Sequence, residues 1–192
     1  MITVIKYNAG NIQSVQNALL RLGYECTVSD DPEIIQNAEK VIFPGVGEAS
    51  TAMKYLNERK LDQVIKSLTQ PFLGICLGLQ LMCKHSEEGD TNCLGIFDTE
   101  VKKFPAKDKV PHMGWNNFKT LEGDLFKGIS LDNDVYYVHS YYAAICKETI
   151  ASCNYILPFS AALQKDNFYA TQFHPEKSAD IGEKILQNFL KI

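Results

Sequence analysis

Short runs of β-branched residues alternate with segments of helical period through the first half of the sequence. The runs at residues 2–5, 26–28, 41–43 and 72–75 are predicted to be strands. Between them, apolar residues recur at helical spacing: Ile12, Val15, Leu19 and Leu22 before Gly23, and later Leu61, Val64, Ile65 and Leu68. Because strands that alternate with helices are joined by right-handed crossovers, this order predicts an α/β fold with a mainly parallel sheet covered by helices on both faces.

From about Leu94 the sequence changes to short strands separated by turns. We predict strands at residues 100–103, 117–119, 134–138, 161–164 and 168–172, and we expect them to extend the same sheet in antiparallel or mixed order. The chain ends in an amphipathic helix whose apolar face carries Ile181, Ile185, Leu186, Phe189 and Leu190. No internal repeat or linker interrupts the sequence, so residues 1–192 are expected to form a single domain.

Composition excludes several classes of protein. A hydrophobic fraction of 45% and a charged fraction of 22% are average for a globular chain. The 19 basic and 23 acidic residues leave a net charge of −4, which does not favour binding to nucleic acid. The N-terminal apolar run meets Lys6 too early for a signal peptide, and no later run approaches the ~18 apolar residues of a membrane span. We therefore expect a cytoplasmic protein with no membrane partner.

The six cysteines are predicted to be reduced thiols. If Cys76 and Cys83 share a helix, their Cα atoms are ~10 Å apart, which exceeds the ~7 Å limit of a disulfide. The sequence contains no CxxC pair, so we do not expect a structural zinc site. Most of these cysteines are therefore interpreted as small buried hydrophobic residues.

Cys76 is the candidate nucleophile, within the segment Gly74-Ile75-Cys76-Leu77-Gly78. This G-x-C-x-G pattern follows a predicted strand and has the spacing of a nucleophile elbow, in which flanking glycines allow a sharp turn. At the N-terminus of the following helix, free N–H groups and the helix dipole favour a thiolate. The pattern alone fits a core cysteine between two turn glycines equally well.

A thiolate needs a base, and one of the four histidines stands beside a carboxylate. In the segment QFHPE, Pro175 favours an extended conformation for His174, so the side chains of His174 and Glu176 are expected to point the same way. They could then act on Cys76 as base and orienting group. An exposed histidine near a solvated glutamate is the commoner arrangement, so the motif gains weight only together with the elbow.

Two further features lie near the predicted carboxyl edge of the sheet. The segment PGVG at residues 44–47 follows a strand, at the edge where open α/β sheets bind ligands, and its backbone N–H groups could stabilise an oxyanion. Gln80 lies four residues after Cys76, on the same face of the predicted helix. A plain strand-to-helix turn and an ordinary helix glutamine are the alternatives.

Taken together, the segments PGVG, GICLGLQLM, PHMGWN, VHSY and QFHPEKS resemble class I glutamine amidotransferases in order and spacing. Within that class, PHMGWN and the N-terminal Tyr7-x-x-Gly10-Asn11 make the chain more similar to the glutaminase subunits of imidazole glycerol phosphate synthase. The resemblance extends from Tyr7 to the final helix. It implies a flavodoxin-like, mixed but mainly parallel sheet flanked by helices, and hydrolysis of glutamine to glutamate and ammonia without a metal or other cofactor.

The resemblance also implies roles for individual residues. Cys76 corresponds to the nucleophile, His174 to the general base and acid, and Glu176 to the group that orients the histidine. The oxyanion donors correspond to the N–H of Leu77 and to the loop at Gly45 and Val46, which in relatives rearranges before it faces the substrate. The positions that hold glutamine correspond to Gly47, Gln80, Ser140 and Tyr141. One of Glu87 and Glu88, with Glu88 preferred, corresponds to a contact with its amino group.

Free ammonia becomes protonated in water and ceases to be a nucleophile, so such a subunit implies a partner that takes the ammonia directly. The resemblance implies a heterodimer with a (β/α)8 cyclase that makes imidazole glycerol phosphate and aminoimidazole carboxamide ribotide in histidine biosynthesis. Trp115 and Lys177 correspond to positions that face this partner, although a lone tryptophan is often a core residue.

Lys6 and Asn8 stand where the family usually has Asp and Gly. This departure leaves open a paralogous glutaminase that feeds another amidation, such as that of a surface sugar. A cysteine hydrolase of another class and an inactive scaffold are further alternatives, and intact Cys76, His174 and Glu176 argue against the scaffold.

Overall fold

The fold is described from a computed structural model, which covers residues 1–8 and 10–192. The helices are α1 (Ile12–Arg21), α2 (Pro32–Gln36), α3 (Ala49–Glu58), α4 (Leu61–Ser67), α5 (Leu77–Met82) and α6 (Ala179–Lys191). The strands are β1 (Ile2–Ile5), β2 (Cys26–Ser29), β3 (Lys40–Phe43), β4 (Phe72–Ile75), β5 (His85–Ser86), β6 (Thr91–Asn92), β7 (Glu100–Lys103), β8 (His112–Asn116), β9 (Thr120–Leu121), β10 (Val135–His139), β11 (Tyr141–Ala143), β12 (Thr149–Tyr155), β13 (Leu157–Lys165) and β14 (Phe168–Thr171).

The central sheet has the strand order β2-β1-β3-β4-β14-β13-β12-β9. The first five strands in this order run parallel to one another, and β13, β12 and β9 extend the sheet in antiparallel order. The carboxyl ends of β3, β4 and β14 therefore meet at one edge. The segments that follow them, which begin at Pro44, Cys76 and Gln172, are brought together there.

Alternating side chains of the parallel strands fill two separate cores. Val41 and Phe43 of β3 pack against helices α2 to α4, whereas Ile42 faces the opposite core with α1 and α6. Strands buried on both faces are expected to be mainly apolar. The sequences of β1, β3 and β4 are so, with Thr3 of β1 and Lys40 of β3 as the exceptions. The predicted α/β fold with a mixed, mainly parallel sheet flanked by helices is confirmed.

The second half departs from the prediction in the pairing and in the position of its strands. Strands β7 and β10, predicted to extend the main sheet, lie in smaller sheets: β8 pairs with β10, and β11, β7, β5 and β6 form a third sheet. The strand predicted at residues 117–119 is also wrong, because the strand there ends at Asn116. The Asn116 side-chain oxygen accepts the backbone N–H of Asn117, a local bond that competes with the strand ladder.

The six cysteines are free, as predicted, and three of them are buried: Cys76, Cys83 and Cys153. Over residues 1–8 and 10–192, no helix is long and apolar enough to cross a membrane.

Candidate active site

Cys76 lies at a sharp turn between β4 and α5. Its backbone has φ 54° and ψ −104°, a conformation that non-glycine residues rarely adopt. The Cys76 N–H donates to the Thr171 carbonyl at 2.7 Å, which ties the turn to the end of β14. The side chain is 6% exposed. This geometry is that of the nucleophile elbow that the sequence predicts.

Gly74 and Gly78, on either side of Cys76, allow close packing, and neither of them has a positive φ. A Cβ at Gly78 would lie 2.1 Å from the Phe43 carbonyl oxygen, and one at Gly74 would lie 2.5 Å from Met82 Sδ. The strained conformation belongs to Cys76 itself. The glycines therefore let α5 pack tightly against the sheet while the cysteine makes the turn.

His174 and Glu176 meet across a short turn. His174 Nδ1 lies 2.7 Å from Glu176 Oε1, and both side chains are fully buried. The sequence predicts that they share one side of an extended segment, but only His174 is extended, and Pro175–Lys177 form a 3-10 turn. The hydrogen bond places the proton on Nδ1, because a carboxylate can only accept. His174 Nε2 is thereby left free to act as a base, and it has no hydrogen-bond partner among the described residues.

Asn11 is a third group at this pair, to which the sequence analysis assigned no role. Its Nδ2 donates to Glu176 Oε1 and lies 3.4 Å from His174 Nδ1. The residue has φ 77°, a left-handed conformation that asparagine tolerates better than most residues. The subfamily segment Tyr7-x-x-Gly10-Asn11 was the available signal, but only the fold shows that it reaches a carboxylate 165 positions away.

The charge on His174 depends on its neighbours. Burial lowers the pKa of His174, but Coulombic attraction to a Cys76 thiolate and the interactions with Glu176 outweigh burial and raise this pKa to about 10. An imidazolium beside a thiolate is the form of such a pair that is ready for nucleophilic attack.

The predicted oxyanion donors are not assembled in this structure. The N–H of Leu77 donates to the Gly45 carbonyl at 3.2 Å, so that carbonyl occupies the donor. The Tyr7 hydroxyl donates to the Pro44 carbonyl at 2.5 Å, and the Gly10 N–H donates to the Val46 carbonyl at 3.0 Å. These three bonds hold the loop at residues 44–47 in a conformation in which its carbonyls, not its N–H groups, are engaged near the elbow.

A pocket of about 280 Å³ opens beside the Cys76 thiol. Its lining includes Cys76 together with the five residues predicted to hold glutamine, Gly47, Gln80, Glu88, Ser140 and Tyr141. Val46 and Leu77 also line it, whereas Gly45, His174 and Glu176 do not. The pocket therefore brings together the predicted substrate positions with the Cys76 thiol.

Two neighbouring glutamates differ in where they point. Glu88 lines the pocket, accepts the Ala49 N–H at 2.9 Å, and has a pKa raised by burial. Glu87 is exposed and accepts the Lys103 N–H outside the pocket. Of the two, Glu88 has the position suited to a substrate amino group.

Trp115 is not a core residue. It is 55% exposed on β8, where Met113 is 58% exposed on the same face. Trp115 pairs across the hairpin with Tyr136, whose carbonyl accepts the His174 N–H. Lys177 is exposed directly after Glu176. The residues predicted to face a partner are thus accessible and close to His174 and Glu176.

The sequence of the chain is similar to those of one family of known proteins. The sequence model of the family described as glutamine amidotransferase class-I matches residues 3–192. A relative from Bacteroides fragilis is named imidazole glycerol phosphate synthase subunit HisH, and it is 61% identical over 194 residues, which cover 100% of this chain and 99% of that protein. Proteins of the same name from Bacteroides thetaiotaomicron and Vibrio cholerae are 59% and 46% identical, each over 100% of this chain and 99% and 98% of their own lengths.

Solved structures share the fold at low sequence identity. A glutamine amidotransferase crystal structure matches with a TM-score of 0.75 and 18% identity, over 100% of this chain and 98% of that chain. The structure of PurLQS from Thermotoga maritima matches with a TM-score of 0.74 and 15% identity, over 99% and 97% of the two chains. At such identities the likeness shows the fold alone.

Proposed function

This chain belongs to the class I glutamine amidotransferase family, and from that premise we propose that it is the glutaminase subunit of an imidazole glycerol phosphate synthase in histidine biosynthesis. Full-length relatives that are 46% to 61% identical are named imidazole glycerol phosphate synthase subunit HisH. The observation that carries the proposed chemistry is the pocket in which Cys76 lies among the predicted glutamine-binding residues. The proposed reaction is hydrolysis of glutamine to glutamate and ammonia.

The residues around Cys76 suggest the order of proton transfers. His174 Nε2 takes the thiol proton, and the thiolate sulfur attacks the side-chain amide carbon of glutamine. His174 then gives its proton to the departing nitrogen, which leaves as ammonia and yields a glutamyl thioester. Water attacks the thioester, its proton passes to His174, and glutamate leaves as the proton returns to sulfur. Glu176 holds the histidine in the tautomer that these steps need.

The loop at residues 44–47 supports a resting state with low activity. While the Gly45 carbonyl occupies the Leu77 N–H, this donor does not face the oxyanion of the tetrahedral intermediate. Loss of one such donor typically costs about 10² to 10³ in turnover, or about 3 kcal/mol. We therefore expect the chain alone to be a poor glutaminase that a partner switches on by favouring the rearranged loop.

The proposed partner is a (β/α)8 cyclase subunit that takes the ammonia directly. An interface of ordinary size buries about 1,600 Å² and could supply the differential binding that the loop change needs. The exposed face with Met113 and Trp115 is an apolar patch beside the pocket, and exposed aromatic residues often carry interface energy. Lys177, next to Glu176, would pair with an acidic group of the partner.

The test measures glutamine turnover by the chain alone, with the cyclase, and with the cyclase plus its ligand. We expect turnover to rise in that order, and Trp115→Ala to weaken the complex without unfolding the chain. Tyr24→Ala is a matched control, because Tyr24 is an exposed aromatic residue at the opposite, amino edge of the sheet. Full-rate turnover by the isolated chain would contradict the switch, and peptide cleavage without ammonia release would favour the cysteine-hydrolase alternative.

A further inference from the structure

Gln172 is a buried side chain beside the nucleophile that the proposed reaction leaves unused. It follows the last residue of β14, has no exposed surface, and its Nε2 lies 3.6 Å from Cys76 Sγ. The second contact of Sγ is the Val138 carbonyl at 3.9 Å, which can only accept a hydrogen bond from the thiol. The Gln172 amide can thus donate a hydrogen bond to the thiolate form of Cys76, whereas the Val138 carbonyl can accept one only from the thiol form.

The orientation of the Gln172 amide follows from its neighbours. Gln80 Nε2 lies 3.0 Å from the Tyr141 carbonyl oxygen, which cannot donate, so the Gln80 NH2 group must face it. The same nitrogen lies 3.1 Å from Gln172 Oε1. Because that nitrogen is a donor, the Gln172 oxygen faces Gln80 and the Gln172 NH2 group faces Cys76.

The Tyr141 carbonyl is itself fixed by a buried chain of hydrogen bonds. His139 Nδ1 lies 2.7 Å from it and must carry the proton, so His139 Nε2 accepts from His112 Nδ1 at 2.9 Å. His112 Nε2 then accepts from Asn116 Nδ2 at 3.3 Å. Burial lowers the pKa of His112 to about 4 and that of His139 to about 3, which keeps both rings neutral as this order of donors requires.

We propose that Gln172 is a further catalytic residue, whose side-chain amide donates a hydrogen bond to the Cys76 thiolate, and that the chain from Asn116 to Gln80 fixes the direction of that amide. The proposal rests on the proposed function for its catalytic meaning. When the thiol proton passes to His174, the Gln172 N–H stabilises the negative sulfur. The same bond stabilises the sulfur again when it leaves the thioester.

The usual strength of a hydrogen bond to a charged group predicts how much thiolate is lost without the Gln172 amide. At a given pH below the midpoint of thiol titration, the thiolate population of Cys76 should be about tenfold to a hundredfold lower when this bond is removed. A thiolate of lower pKa is a weaker nucleophile, but the gain in thiolate fraction is larger than this loss. Removing the bond should therefore lower the rate at neutral pH.

The test follows alkylation of Cys76 by iodoacetamide across a pH series, with peptide mass spectrometry to separate Cys76 from the other cysteines. Gln172→Met removes the amide and keeps much of the side-chain shape. Gln172→Asn shortens the side chain by one methylene and so moves the N–H donor away from Cys76 Sγ. Gln164→Met is the matched control, because Gln164 is a half-buried glutamine of the same sheet that donates to the Tyr169 hydroxyl.

In the Gln172 variants we expect the alkylation midpoint of Cys76 to rise by about one to two pH units, and kcat for glutamine to fall while KM changes little. The control should leave the midpoint unchanged. The titratable groups that face the thiol are Tyr7, Glu88, His139 and His174, and none is altered.

An unchanged midpoint in folded Gln172→Met, or an equal shift in Gln164→Met, would overturn the proposal. If Gln172→Met does not fold, an unchanged midpoint in Gln172→Asn overturns it in the same way. Because alkylation needs no glutamine, a shifted midpoint in a chain that never hydrolyses glutamine would refute the proposed function and the catalytic role of Gln172, and would leave intact only the hydrogen bond from the Gln172 amide to the Cys76 thiolate.

Discussion

His174 Nδ1 and Glu176 Oε1 form a 2.7 Å hydrogen bond between two side chains that are both closed to solvent. This bond fixes the tautomer of the histidine and leaves Nε2 available to the Cys76 thiol. A carboxylate and an imidazole that depend on each other in this way should act as a single unit.

The first prediction concerns that unit. His174→Ala and Glu176→Ala should each lower kcat, and the double variant should lose far less than the product of the two single losses, because either change disables the same proton transfer. Steady-state glutamine turnover in the presence of the partner measures all three. Multiplicative losses would indicate that Glu176 has a separate role.

A second prediction concerns Asn11, which donates to Glu176 from the start of α1. Asn11→Gly keeps the left-handed backbone without strain but removes the amide, so kcat should fall by about tenfold to a hundredfold, as expected for a bond to a charged group. Asn17→Gly, at an exposed position on the same helix, serves as a control for helix stability. Equal losses in both variants would make Asn11 a structural residue only.

A third prediction concerns the loop at residues 44–47. Tyr7→Phe removes the hydroxyl that binds the Pro44 carbonyl, a bond worth about 1 kcal/mol, so the rearranged loop should become up to about fivefold more populated. Glutamine turnover by the isolated chain should rise accordingly. Tyr55→Phe, which removes a hydroxyl bound to Asp30, is the control. A folded Tyr7→Phe chain with unchanged or lower basal turnover would show that this bond does not hold the resting state.

A fourth prediction concerns the pKa of His174, which its neighbours raise from 6.5 to about 10. Because the folded state holds this proton more tightly, its contribution to stability is fully present below pH 6.5 and is lost as the pH rises through about 10. Cys76→Ala removes the thiolate, so the pKa of His174 should fall. An NMR titration of the ring measures the change, and an unaltered pKa would mean that Cys76 and His174 are not coupled.

The sequence is sufficient for the parallel half of the fold because the strands there are short, mainly apolar runs and helices such as α1 and α3 have one apolar face. It is less informative for the second half, where the bonds of β8 with β10 and of β7 with β11 depend on partners that no local pattern specifies. The two asparagines at residues 116–117 are an example. The Asn116 side chain accepts the N–H of Asn117 and the strand ends at Asn116, although the composition predicted a strand at residues 117–119.

For the site, the elbow at Cys76 and the segment at His174 could be found because their chemistry is local. Asn11 and Gln172 could not be found in this way, because their roles depend on contacts with residues that are 165 and 96 positions away in the chain. Likewise, the occupied Leu77 N–H is a property of the folded loop, and the glycines at residues 45 and 47 indicate only that such a loop can move.

The central claim is that Cys76 forms a glutamyl thioester, and site-specific labelling tests it most directly. The chain is incubated, in the presence of its partner, with an electrophilic ketone analogue of glutamine, and the peptides are mapped by mass spectrometry. We predict one label, on Cys76, that excess glutamine prevents and that abolishes turnover, with Cys76→Ala about 10³-fold or more less active. Labelling at Cys83 or Cys93 with Cys76 unmodified, or a Cys76→Ala chain that still hydrolyses glutamine, would contradict the claim.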